Sequence, residues 1–303
     1  MVPALHLAPT NFPVYLHFGR YIIHPHIFFE TLAYFIAFRV YLSLRRRFGD
    51  PISTPIRWAV IAAAVAGAAF GSKLLFWLED PVLTWQNLHN PAYLMGGKTI
   101  VGALVFGLIS VELIKRYIGL RQSTGDLYAI PLALGIAIGR IGCFLTGLAD
   151  NTYGAPTTLP WAVNFGDGIP RHPTQLYEII FLLALAPILY RIVTITAPRQ
   201  LPQLMWGEPP KLALSEAEGA VRSSRALPAP TPPFPRFLPG DAFKFFMVAY
   251  LSFRLLCDFI KPYPRIFLGL GGIQWACLLT LLYYSRDIVR WLRSAPASTT
   301  SQA

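Results

Sequence analysis

Charged side chains are scarce in this chain. Only 14% of its 303 residues are Asp, Glu, Lys or Arg, against 54% that are hydrophobic, and so little charge could not hold a soluble domain of this size in solution. Cysteine is scarcer still. Cys143, Cys257 and Cys277 stand in apolar runs without CxxC spacing, which excludes a disulfide framework and leaves each thiol as a small hydrophobe. His24 and His26 flank Pro25, a poor spacing for two ligands on one helical face, so no metal site is expected and no cofactor is implied. The amino-terminal segment lacks the charged start and small-residue cleavage site of a secretory signal, so the first helix is expected to be retained. There is no internal repeat and no basic stripe with interleaved aromatics. The formal charge of +11 is scattered over loops, which points to contact with anionic membrane lipids and away from nucleic acid.

What the chain has in abundance is long apolar runs. Residues 27–44, 58–78, 100–113, 127–145, 179–195, 243–260 and 270–282 approach the roughly twenty residues needed to cross a bilayer. The expected fold class is therefore an all-α, multi-pass membrane protein with about seven transmembrane helices, the third and last being the shortest runs. Basic residues test the count, because Lys and Arg accumulate in short cytoplasmic loops. Arg45, Arg46, Arg47 and Arg57 follow the first run, and Lys115, Arg116 and Arg121 the third. Arg191, Arg199, Lys211, Arg222, Arg225 and Arg236 follow the fifth, and Arg286, Arg290 and Arg293 the seventh. The opposite connections hold only Arg20, Lys98, Arg171, Lys261 and Arg265. The alternation works with an odd helix number, an outward N-terminus and a cytoplasmic C-terminus.

One transmembrane domain is expected over residues 1–290, with a cytoplasmic tail at 291–303. It is interrupted at 197–240, where ten prolines stand among few aromatics. That composition cannot bury enough apolar surface to order itself, which predicts a flexible cytoplasmic loop.

Cations inside the apolar runs are costly and need a reason. Gly139-Arg140-Ile141-Gly142-Cys143-Phe144 puts Arg140 near the end of the fourth run, Lys73 follows Gly71-Ser72 in the second, and Arg254 lies in the sixth. Each could be a structural charge paired to a carboxylate such as Glu178 or Asp258, or could snorkel to the interface. Together with Arg171 and His172, in the run Arg171-His172-Pro173-Thr174-Gln175-Leu176-Tyr177-Glu178, they outnumber the nearby carboxylates and suggest an anion site. A guanidinium suits phosphate because its planar fork donates two parallel hydrogen bonds and keeps its proton. At membrane depth the available phosphate is a phospholipid headgroup. Tyr250, four residues before Arg254 and so on the same helix face, is either a further donor to that ligand or an interfacial anchor.

These residues resemble the prolipoprotein diacylglyceryl transferases. The resemblance rests on the Gly139 to Phe144 motif followed by Gly147, on Pro160-Trp161, and on the Arg171 to Glu178 run. It extends to Gly71-Ser72-Lys73, Gly96-Gly97, Tyr250 with Arg254, and Gln274. It implies a bacterial inner-membrane enzyme that moves the diacylglyceryl group of phosphatidylglycerol to the lipobox cysteine thiol of a prolipoprotein signal peptide, releasing glycerol phosphate. Carried over by position, Arg140 and Arg254 would grip the phosphate, and Tyr250, Gly147, Gly154, Lys73, Arg171, Gln175, Tyr177 and Glu178 would line the substrate site.

The chain also departs from the family pattern. Val101 stands where the family has a histidine, Cys143 where it has asparagine, residues 148–153 differ from its Glu-containing stretch, and His24-Pro25-His26 replaces an aromatic pair. Two accounts follow. In one, His172 or His26 becomes the base of a divergent transferase, a role open to an imidazole titrating near neutrality. In the other, a phospholipid-binding paralogue has a changed acceptor or no catalysis. A seven-helix membrane carrier is the rival of another class, although paired broken helices in both halves would be expected of it.

Overall fold

The computed structural model describes residues 12–50, 52–196 and 237–293. Most of the expected loop at 197–240 and the tail from position 294 lie outside the described residues, as do Arg222 and Arg225.

Each of the seven apolar runs falls largely on helix. They form α1 (Pro25–Phe48), α2 (Thr54–Glu79), α5 (Ile100–Tyr117), α6 (Asp126–Thr146), α7 (Thr174–Thr196), α8 (Asp241–Cys257) and α9 (Gly272–Tyr283), while short helices α3 (Pro81–Gln86) and α4 (Pro91–Met95) follow α2 and α10 (Ser285–Arg293) ends the described chain. Four stretches are long and apolar enough to cross a membrane: Pro25–Phe48, Thr54–Glu79, Asp126–Asp150 and Thr174–Thr196. Their outer faces carry exposed Tyr34, Phe35, Phe38, Phe70, Ile180 and Leu183, side chains that lipid accommodates and water does not. The expectation of helix alone is corrected by two small antiparallel hairpins, Leu16–Phe18 with Tyr21–Ile23 and Val163–Asn164 with Pro170–Arg171. Such short pieces of two or three residues carry no periodicity that a sequence could announce.

Local chemistry sets the helix ends. Pro25 occupies the first turn of α1, where its missing N–H costs nothing, and the His24 side chain accepts from the His26 amide at 3.3 Å. Arg45, Arg46 and Arg47 sit in the last turn and complement the negative end of the helix dipole. Asp80, Asn90 and Thr99 cap α3, α4 and α5 with side-chain oxygens, each satisfying an otherwise orphaned amide.

Small residues bring α2 and α5 together. A Cβ on Gly71 would lie 2.2 Å from the Phe106 Cβ, and one on Gly102 would lie 2.2 Å from the Gly71 carbonyl oxygen. Within lipid, where burial of apolar surface brings no gain, such close backbone approach is a main source of helix association. Helix α6 occupies the centre, packing against α1, α7 and α8. Ala129, Ala133 and Ala137 on α6 are almost fully buried, as are Leu182 and Leu189 on α7 and Phe246, Met247 and Leu251 on α8. This core fixes the faces on which the polar residues meet.

Candidate active site

Three helices deliver one buried charge cluster. Arg140 near the end of α6, Glu178 in the second turn of α7, and Tyr250 and Arg254 on α8 are all 6% exposed or less. Arg140 Nε lies 2.9 Å and Arg254 Nη1 3.1 Å from the same Glu178 oxygen, Oε2. The Tyr250 hydroxyl donates to Oε1 at 2.6 Å. Arg254 Nη2 also lies 3.9 Å from Asp258, one turn on. The spacing Tyr250–Arg254 thus does place both groups on one face, directed at one carboxylate, and Tyr250 is a core donor and not an interfacial anchor.

Glu178 does not exhaust the cluster's donors. Among the described residues the Arg140 Nε–H is not aimed at the carboxylate it approaches, and the Arg254 Nε–H has no hydrogen-bond partner. A buried guanidinium donor without an acceptor is expensive. Lys261, only 4% exposed just after α8, adds positive charge. Its burial, then the guanidiniums of Arg254 and Arg140, push its ammonium down to about 7. Sequence reasoning assigned Lys261 only to an outer loop. The 3-10 turn Asp258–Ile260 that follows α8 folds it against Tyr263 and buries it.

The other sequence-derived candidates divide into groups. Gln175 is buried on α7 and donates to Thr152 at 3.1 Å. Gly154 donates to the His172 carbonyl at 2.9 Å, and a Cβ there would meet His172 Cβ at 2.6 Å. Gly147, at φ +70°, takes a conformation that side chains disfavour, and a Cβ would strike Phe12. These two glycines close the connection between α6 and α7 onto the helix ends. His172 Nδ1 lies 3.1 Å from the Tyr177 hydroxyl, which accepts from Trp161 Nε1 at 2.8 Å. Arg171 turns away to Asp167, with contacts of 2.7 Å, and over the Tyr153 ring. That hydrogen bond lowers the Asp167 carboxyl and raises the Arg171 guanidinium. Arg171 and His172 therefore belong to the second hairpin and the segment that follows it, with partners other than those of the Glu178 cluster.

Lys73 is also elsewhere. Its Nζ donates to the carbonyls of Met95, Gly96 and Gly97, so it ties α2 to the turn after α4. Two motifs that resembled the family, Gly71-Ser72-Lys73 and Gly96-Gly97, are thus halves of one clamp. Val101, which the resemblance sets where the family has a histidine, is 1% exposed in the apolar core.

His26, at the start of α1, lies 2.9 Å through Nδ1 from Asp150, beside an open cavity of about 460 Å³ lined by His24, His26, Ile27, Thr146, Ala149 and Asp150. Cys143, one turn after Arg140, completes this second group, and Arg140 Nη1 stands 3.7 Å from its sulfur. The two groups share α6.

Residues 13–206 match the family model described as prolipoprotein diacylglyceryl transferase. The chain is similar to proteins named phosphatidylglycerol–prolipoprotein diacylglyceryl transferase. It is 30% identical to that of Polynucleobacter asymbioticus over 298 residues, covering 90% of this chain and 93% of the relative. With that of Bordetella avium it shares 28% over 308 residues, 96% and 97% of the two chains. With that of Bordetella parapertussis it shares 36% over 184 residues, 56% of this chain and 67% of the relative.

Proposed function

Because the chain belongs to the prolipoprotein diacylglyceryl transferase family, we propose that it moves the diacylglyceryl group of phosphatidylglycerol to the lipobox cysteine thiol of a prolipoprotein in the bacterial inner membrane. The observation that carries this reading is the convergence of Arg140 and Arg254 on Glu178 with buried guanidinium N–H groups left over. The acceptor sulfur, as thiolate, forms a bond to the glycerol carbon that bears the phosphate ester. The carbon–oxygen bond breaks, and its electron pair leaves with glycerol phosphate. Preorganised cations lower the barrier by offsetting charge as it grows on that oxygen. Arg140 and Arg254 serve this role, with Glu178 holding both guanidiniums in place and Tyr250 fixing Glu178.

The core position of Val101 favours a second reading, a phospholipid-binding paralogue without this chemistry. Expression in a bacterium depleted of its own diacylglyceryl transferase separates the two. Restored lipoprotein maturation supports transfer, whereas unprocessed prolipoprotein alongside full membrane insertion supports the paralogue.

Seven spans with an outward N-terminus are part of the same proposal, supported by the one-sided distribution of basic residues and by the helices on which the seven apolar runs fall, four of them long and apolar enough to cross a membrane. Reporter fusions just after the last turn of α1 that holds Arg45–Arg47, and at Arg222 or Arg225, are expected to report the cytoplasm, and fusions between Asp150 and His172 the outside. An outside signal from the first two would overturn the orientation.

A further inference from the structure

The departures from the family pattern do not scatter. His26 from the altered start of α1, Cys143 from the altered α6 motif, and Asp150 from the altered stretch after it meet at one point, with a histidine nitrogen, the thiol sulfur and a carboxylate oxygen all within 4.8 Å of one another. Cys143 is 8% exposed and the Asp150 side chain 8%, while that of His26 is 29% exposed toward the cavity.

We propose that His26, Cys143 and Asp150 form a site for a divalent transition-metal ion, zinc by preference, whose fourth position takes the acceptor thiol as its thiolate.

The donor set supports this. One nitrogen, one sulfur and one oxygen suit borderline-soft zinc better than magnesium or calcium, which take oxygen ligands. Three protein ligands beside open space is the arrangement of catalytic zinc, whereas structural sites are closed by four. The supporting groups point the same way. His26 Nε2 lies 3.5 Å from Glu30 Oε2, leaving Nδ1 on the Asp150 side, and a carboxylate on the second ring nitrogen is the usual partner of a metal-bound imidazole. Glu30 is in turn held by Lys98. Thr152 Oγ1 donates to Asp150 Oδ2 at 2.6 Å, so Oδ1 is the oxygen presented to His26. A thiolate, a carboxylate and a neutral imidazole cancel a double positive charge, and Glu178 offsets the nearby Arg140. The arginine's N–H directed at the sulfur then acts as an outer hydrogen bond to the ligand.

The second half of the proposal rests on the transfer reading. A metal-bound thiol is deprotonated outright, its proton going to solvent as it binds. The thiolate then forms the sulfur–carbon bond while the carbon–oxygen bond to phosphate breaks, with no net oxidation. A metal would thus supply what the histidine replaced by Val101 does not.

The test is the metal content of the full chain purified in detergent from zinc-supplemented cells, alongside cobalt exchange. One zinc per chain is expected, with a sulfur-to-cobalt charge-transfer band in the cobalt form that shifts when a lipobox-cysteine peptide is added. Cys143→Ser should lose the band, and Glu30→Gln should weaken metal affinity by about 10–100-fold while the chain stays folded. Wild-type protein free of zinc and showing no cobalt band would overturn the site, whatever the variants do. Zinc bound without any peptide modification would keep the site and sink transfer. Transfer that survives chelation and Cys143→Ser but fails in His26→Gln would overturn the metal and leave His26 with Asp150 as a bare base.

Discussion

Arg254→Ala is expected to slow diacylglyceryl transfer by about 10²–10³-fold, roughly 2.7–4 kcal/mol of barrier, the cost of removing one preorganised donor from a developing oxyanion. The change leaves Glu178 with Arg140 at 2.9 Å and the Tyr250 hydroxyl at 2.6 Å, so the carboxylate keeps partners and the protein should still reach the membrane. Arg140→Ala should cost a similar factor. Arg254→Lys should restore only part of the rate, because an ammonium cannot reproduce a planar two-pronged contact. Initial rates with phosphatidylglycerol vesicles, together with protein recovered from membranes, separate lost chemistry from lost folding. An Arg254→Ala protein that turns over at the wild-type rate would remove the guanidinium from the mechanism.

Glu178→Gln is expected to act on stability first. It keeps the side-chain shape and can still accept from Tyr250, but it leaves Arg140 and Arg254 buried without the shared negative charge. Breaking a buried ion pair by neutralising one partner costs about 3–5 kcal/mol, which should lower the melting temperature in detergent by on the order of 10 °C. Replacing Glu178 is therefore worse for the fold than replacing either arginine, since it strands Arg140 and leaves Arg254 only Asp258 at 3.9 Å, whereas each arginine variant leaves Glu178 paired to the other arginine. A Glu178→Gln protein that melts like wild type, yet is inactive, would make Glu178 a substrate contact and not the clamp of the cluster.

The sequence carried much of this because membranes simplify the problem. Apolar runs and basic loops announce helices directly, and all seven runs fall largely on helix in the structure. Arg140, Arg254 and Glu178 were legible for the same reason, as charges in places that lipid forbids. Of the two readings open to these cations, the geometry shows the pairing to Glu178, and it leaves two guanidinium donors unmatched. Lys73 meets the cost of its charge locally. A long side chain near a helix end reached three backbone carbonyls in the turn at Met95–Gly97, a contact across more than twenty residues that no spacing predicts. Arg171 pairs within its own hairpin, with Asp167 in the loop that joins the two strands, a turn too short to leave a periodic signal. The His26–Cys143–Asp150 group was hidden differently. Its members were noted one by one as departures from a family, and only the packing of α1 on α6 brings them within reach of one another.

The central claim is that this chain joins a diacylglyceryl group to a cysteine sulfur. Mass measurement of a lipobox peptide after incubation with the purified protein and phosphatidylglycerol vesicles tests it most directly, with released glycerol phosphate assayed in the same tube. The account predicts a peptide heavier by one diacylglyceryl group on its cysteine and an equal amount of glycerol phosphate, both absent with Arg254→Ala. An unmodified peptide in the presence of folded, lipid-bound wild-type protein would contradict it.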